Sequence, residues 1–210
     1  MSLTLGELTE RMDRADERGL AVSALACLDR CLPLLEYVGG SRPAGAGGSA
    51  GADGAAWSGG SGGADGLPRA DGLSGVDTEA ALRPLWEAAE GGEAWLGRLR
   101  EAAAGVVTAV GETDFGPAGA LRRAADVPQV YEAGELRRWA RECSAAALAV
   151  HRHLDGGRED GPLATGELRR QERLLGLLTG EGDGLRAVLV QSDEGKRVLR
   201  AAAARRARRG

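Results

Sequence analysis

The sequence predicts an all-α protein: an antiparallel helical bundle with a long Gly/Ala/Ser-rich disordered linker and no β-sheet. Three observations lead there. Leu, Ala and Val recur at three- and four-residue steps over most of the chain. No stretch of useful length alternates apolar and polar residues as a half-buried strand would. Of the 34 Gly in 210 residues, 14 fall between 39 and 76, so the softness of the composition is largely local.

Composition bounds the rest. The chain holds 38 Ala, 28 Leu and 26 Arg against a single Lys, Lys196, and has no Ile or Asn. Residues of A/T-rich codons are missing together, which points to a GC-rich, bacterial-type coding genome. Arg abundance by itself is then no sign of phosphate recognition. Gly without a three-residue period excludes collagen, and three Cys cannot build a disulfide scaffold. No apolar run approaches the roughly 18 residues of a membrane span. With no basic region followed by an apolar one at the start, and no CxxC pair, a cytoplasmic setting is expected.

Residues 1–38 read as an N-terminal helix or helix pair. Leu5, Leu8, Met12 and Ala15 share a face, and Ala21, Leu25, Leu28, Leu32 and Leu35 continue after Gly19. Pro33 would remove a helical hydrogen bond, so a kink is expected over Asp29 to Leu32. Residues 39–76 form the linker, whose 38 residues span roughly 35 Å as a flexible coil. Trp57 is its one aromatic residue, a solvated side chain or a docking anchor.

A bundle is expected over 77–204. Asp77 can cap a long helix in which Leu82, Leu85, Ala89, Leu96, Leu99, Ala103, Val106 and Val110 keep heptad-like spacing, with Gly92 blank. A short helix over 118–125 ends before Pro128. The next runs over 129–154 with Leu136, Trp139, Cys143, Ala147 and Val150 on one face, stopped by Gly156 and Gly157. Thr165 caps a helix carrying Leu168, Leu175 and Leu178. Asp183 caps another with Leu185, Val188 and Leu189, and a last helix holds Val198 and Leu199 before a basic tail over 205–210.

Long helices with narrow apolar seams often complete their core with a second copy. Leu25, Leu28, Leu32, Leu96, Leu99 and Val106 are therefore the residues expected to carry self-association or binding to another protein. Gly134-Glu135-Leu136-Arg137-Arg138 recurs as Gly166-Glu167-Leu168-Arg169-Arg170, which reads as a helix start common in so Arg- and Leu-rich a chain rather than a repeat.

Few patterns could carry chemistry. His151 and His153 lie about 200° apart on a helix and cannot share a metal there; as cations in a last turn they complement the dipole. Cys27, Cys31 and Cys143 with one His make a Cys3His zinc set only on paper, and read as small buried apolar residues. Gly180 to Gly184 lacks the strand and spacing of a phosphate loop. The C-terminus is the asymmetric feature. After Glu194 come Lys196, Arg197, Arg200, Arg205, Arg206, Arg208 and Arg209 with no acid, the candidate contacts for an anion or nucleic acid. The expected function is a non-enzymatic, self-associating interaction, regulatory or scaffold module without a cofactor. A nucleic-acid-associated regulator using the basic helix is the alternative, and a metal-dependent enzyme the third class.

Overall fold

The computed structural model describes residues 4–31, 78–87, 91–110, 116–178 and 184–208. They are all-α, with no strand among them. Leu32, Trp57, Asp77, Asp183, Arg209 and the linker expected over 39–76 lie outside them. The helices are α1 (Leu5–Arg14), α2 (Glu17–Cys31), α3 (Thr78–Glu87), α4 (Glu93–Val110), α5 (Gly116–Ala124), α6 (Ala133–Leu154), α7 (Pro162–Leu178) and α8 (Gly184–Ala207). No described helix is long and apolar enough to cross a membrane.

The N-terminal helical stretch breaks at Ala15 and Asp16. Thr4 and Glu7 form a reciprocal cap on α1: Thr4 Oγ1 accepts from the Glu7 amide, and Thr4 N donates to Glu7 Oε2 at 2.7 Å. At the other end Ala15 turns to extended backbone, and Asp16 Oδ1 accepts from the Gly19 amide at 2.7 Å, satisfying a free N–H at the start of α2. The helix then runs through Asp29 and Arg30 to Cys31, and the rest of the stretch where a kink is expected lies outside the described residues. Its surroundings explain its composition. Every residue from Gly19 to Cys31 is buried, because α5, α6, α7 and α8 all pack on it. A helix covered on all sides has no solvent face to mark with charge.

The long helix expected from Asp77 to Val110 is two. Gly91 and Gly92 have φ of +79° and +88°, a backbone that L side chains rarely adopt, and a Cβ at Gly91 would also collide with the Tyr131 ring. Buried tryptophans tie this part together. Trp95 Nε1 donates to Leu85 O at 3.0 Å, joining α4 to α3, and Trp139 Nε1 donates to Ala124 O at 2.8 Å, joining α6 to the end of α5. Each uses its polar tip on a carbonyl near a helix end while the ring fills the core.

Two further expectations change. Thr165 lies inside α7, which begins at Pro162; the cap is Asp155, whose Oδ2 accepts from the Leu163 and Ala164 amides at 3.0 Å each. The two helices expected after residue 183 are one, since α8 runs unbroken from Gly184 to Ala207 and takes in Arg205 and Arg206.

Leu25 is fully buried in α2 and Val190 is 59 % exposed on α8. Leu25→Ala is expected to cost about 2–5 kcal/mol in denaturant unfolding. Val190→Ala is expected to stay within about 0.5 kcal/mol. Equal costs would contradict the central placement of α2.

Candidate functional site: a charge network and the cleft above it

Asp29 and Arg30 are neighbours on α2, so their side chains leave the helix about 100° apart and meet different partners. Asp29 faces α8: its Oδ2 accepts from Ser192 Oγ at 2.9 Å and lies 2.9 Å from Lys196 Nζ. Ser192 and Lys196 are one turn apart and share a face of α8. Between them sits Gly195, where an added Cβ would overlap the aliphatic stem of Arg30. The missing side chain is what lets Arg30 pass α8 and reach α7.

There Arg30 Nη2 donates to Glu167 Oε1 at 2.5 Å, with both side chains fully buried. Arg170 Nη1 donates to the second Glu167 oxygen at 2.9 Å, and Gln171 Nε2 donates to the first at 2.9 Å. Gln171 in turn accepts from Ser144 Oγ of α6 at 2.6 Å. His151, also on α6, donates from Nδ1 to Ala147 O at 2.7 Å, which leaves Nε2 as the bare nitrogen of the neutral ring, 3.4 Å from Glu167 Oε2. Four helices thus meet through polar side chains inside an otherwise apolar core.

Burial and pairing compete at each group. Burial would raise the Glu167 pKa, but Arg30 and the hydrogen bonds outweigh it and hold it at about 2. For Arg30, burial disfavours the charge and Glu167 more than restores it, so its pKa is raised. Burial wins at Asp29, raised despite Lys196 and Ser192, and at His151, lowered despite Glu167. The Cys27 thiol is pushed up to about 12 by burial, and Cys31 and Cys143 well up by the same cause. None of the three is a thiolate nucleophile at neutral pH. All three are free, and among the described residues no group of three or more His, Cys, Asp or Glu is placed to hold a metal ion.

The Asp29–Lys196 pair forms the floor of a half-open cleft of about 370 Å³ between α2, α3 and α8. Arg83, Trp86 and Glu87 line it from α3, at spacings of three and four residues that keep them on one side of the helix. Leu189 and Asp193 line it from α8, and Asp193 Oδ1 lies 3.4 Å from Lys196 Nζ. Arg83 and Glu87 are exposed at the rim and have no ion pair or hydrogen bond among the described residues. The Trp86 indole N–H in the wall also has no hydrogen-bond partner among the described residues. No protein-family model, curated protein or solved structure matches this chain.

Residues singled out by sequence sort differently here. Leu25, Leu28, Leu96 and Leu99 are buried within the chain's own core. Val106 lies in α4, and Leu32 is outside the described residues. Lys196 leaves the basic surface set, because it is buried against Asp29. Arg197, Arg200, Arg205, Arg206 and Arg208 are exposed on α8, and Arg206 Nη1 donates to His153 O at 3.0 Å. Both histidines lie in the last turn of α6, where burial works against their charged forms. Burial lowers the pKa of His151, while partial burial and then Arg206 lower that of His153. Asp29, Arg30, Glu167, Gln171, Ser144 and Ser192 carried no signal in spacing. The available clue was two adjacent charges, Asp29 and Arg30, closing the uncharged run Gly19 to Leu28.

Two outcomes follow from this geometry. The folded pKa of Glu167 lies below its ordinary value of 4.5, so its contribution is full above about 4.5 and lost as pH falls toward 2. Unfolding free energy should therefore drop by roughly 3 kcal/mol across that window, and Glu167→Gln should flatten it. Gly195→Ala should destabilise by about 1–3 kcal/mol through overpacking. Gly166→Ala, in α7 with open space around it, should stabilise by up to about 1 kcal/mol. Equal effects of the two glycine variants would refute the passage of Arg30 beside Gly195.

Proposed function

We propose that the chain is a non-enzymatic interaction or regulatory module, built as an antiparallel helical bundle, whose working surface is the cleft between α2, α3 and α8. The observation that carries this reading is the pair Arg83 and Glu87. Both line the cleft, and neither has an ion pair or hydrogen bond among the described residues. Charged groups convergent on a concave site are what fix a ligand's orientation and specificity. Leu25, Leu28, Leu96 and Leu99 of the leucine seams lie in the core, which favours the cleft over the seams as the working surface. The exposed large apolar residues among those described are Leu5, Val130 and Val190, on separate segments. Singly scattered apolar residues are ordinary surface and no docking patch.

A non-enzymatic role agrees with how the ionisable groups are held. Asp29 and Lys196 answer each other, and the thiols are kept protonated. A second reading rests on the acid-free end of α8. Arg205 and Arg206 line a shallow groove of about 780 Å³ with Leu154, Asp155 and Leu163, and Arg208 is exposed beyond it. Such a surface would meet nucleic acid through phosphate contacts.

Photo-crosslinking in producing cells separates the two. A benzophenone side chain at Pro84, exposed on α3 beside Arg83, is expected to give a covalent adduct of defined mass in intact-protein mass spectrometry. The same group at Arg208 is expected to give none. Adducts at 208 alone would move the working surface to the basic end of α8. Duplex DNA binding at about 50 mM salt, weakening steeply as salt rises, would favour the second reading.

A further inference from the structure

We infer that Glu167 Oε2 is a proton-operated exchange point, at which a proton taken up by His151 Nε2 displaces the Arg170 guanidinium and turns it out to the surface of α7. The device lies in the charge network and does not depend on the cleft. His151 sets it up. Its side chain is 1 % exposed and lies between two oxygens, Ala147 O at 2.7 Å from Nδ1 and Glu167 Oε2 at 3.4 Å from Nε2. A neutral imidazole has one N–H, and here Nδ1 uses it on the carbonyl. Nε2 then turns a lone pair toward a carboxylate oxygen, with no hydrogen-bond partner among the described residues. Only the imidazolium, with an N–H on each side, satisfies both oxygens.

Neighbouring charge opposes that proton. Glu167 and Arg170 face the ring from α7, and Arg30 from α2. The thiols of Cys27 and Cys31 on α2 stay protonated. Helix α8 brings the uncharged Gly195 beside Arg30 and Arg170, and sends Arg206 to the His153 carbonyl at the end of α6. Helices α1 and α5 meet α6 at Arg141 and Cys143, about 12 Å or more before His151. His153 itself is exposed, about 200° round the helix.

One carboxylate thus already serves two guanidinium groups. A third cation would leave two positive charges unbalanced in the core, and an unpaired buried charge is strongly destabilising. One of the three must leave. Arg30 is fully buried, whereas Arg170 is 14 % exposed and holds the same oxygen that His151 faces. The flexible stem of Arg170 lets its charged head reach water while α7 stays in place. The proton enters from solvent by the edge that Arg170 vacates. Arg169 is already exposed on α7, so falling pH adds a second surface cation beside it. Burial first, then Arg30 and Arg170, hold His151 below its ordinary value of 6.5 despite Glu167, which puts the exchange on the acid side of that value. The unfolded chain takes the proton more readily, so stability declines as pH falls below 6.5, and the exchange must precede acid unfolding.

NMR of the full-length chain with labelled histidine and arginine side chains tests the exchange as pH falls from about 8 to about 5. His153→Gln leaves one histidine and so assigns His151. At the alkaline end the ring should carry its proton on Nδ1. Its titration midpoint should lie below 6.5. Across that midpoint the protection of Arg170 Nε–H from hydrogen exchange, taken relative to Arg169, should fall at least about tenfold. Arg170→Met should raise the His151 midpoint by about one pH unit, and Arg169→Met should leave it in place. Circular dichroism checks the fold of both variants, and the exchange readout on the unaltered chain stands even if Arg170→Met does not fold. A protection ratio that stays constant through the His151 titration would overturn the proposal. So would a midpoint unmoved in folded Arg170→Met, or loss of the fold before His151 takes up its proton.

Discussion

Arg30 is the constraint around which the rest is arranged. It sits at the end of a helix buried on every side, and its guanidinium is fully out of water. Removing such a charge from water costs several kcal/mol, offset only by an opposite charge in good geometry. Glu167 supplies that charge, but each added carboxylate oxygen then needs partners of its own. Arg170 and Gln171 meet that need, and Ser144 serves Gln171. The requirement spreads from α2 to α7 and on to α6. Even so, Arg30 Nε and Nη1 have no hydrogen-bond partner among the described residues. A pair built at this cost contributes little net stability. What it supplies is register, because rotating α7 by one residue would swing Glu167 about 100° from Arg30 and strand both charges.

The same turn of α2 sets the floor of the cleft. Once Arg30 is committed to α7, Asp29 must point toward α8, where Ser192 and Lys196 receive it. The chain has 26 Arg and one Lys, and the Lys stands here. A compact ammonium can be met by two carboxylates, as Asp29 and Asp193 do. A second buried guanidinium would bring five donors in a rigid fork, each needing an acceptor of its own. Charge network and cleft are thus two outlets of one dipeptide.

Periodicity made the helices legible, and the core with them: Leu25, Leu28, Leu96, Leu99, Leu136 and Trp139 are buried as their spacing implies. What spacing could not tell was which partner covers them. The same apolar stripe serves a second copy of the chain or a neighbouring helix, and here it serves neighbouring helices. Boundaries went astray where a side chain far along the chain did the capping. Asp155 caps α7 from across a loop, which no local pattern around Thr165 reveals. The repeated pentapeptide shows the limit most plainly. Glu135 pairs with Arg138 on the surface, whereas Glu167, at the same place in an identical string, is wholly buried against Arg30. Local sequence specifies helix in both, and tertiary context alone decides whether the carboxylate meets water or a guanidinium.

The most direct test of this account is a double-mutant cycle on the pair, with Arg30→Met, Glu167→Leu and the two combined, read by denaturant unfolding. Each single change leaves one buried charge alone and should cost about 3–5 kcal/mol. The combined variant, apolar on both sides, should recover most of that loss, with a coupling of several kcal/mol. Single costs that simply add in the double variant, with coupling under about 0.5 kcal/mol, would contradict the central role given to Arg30 and Glu167.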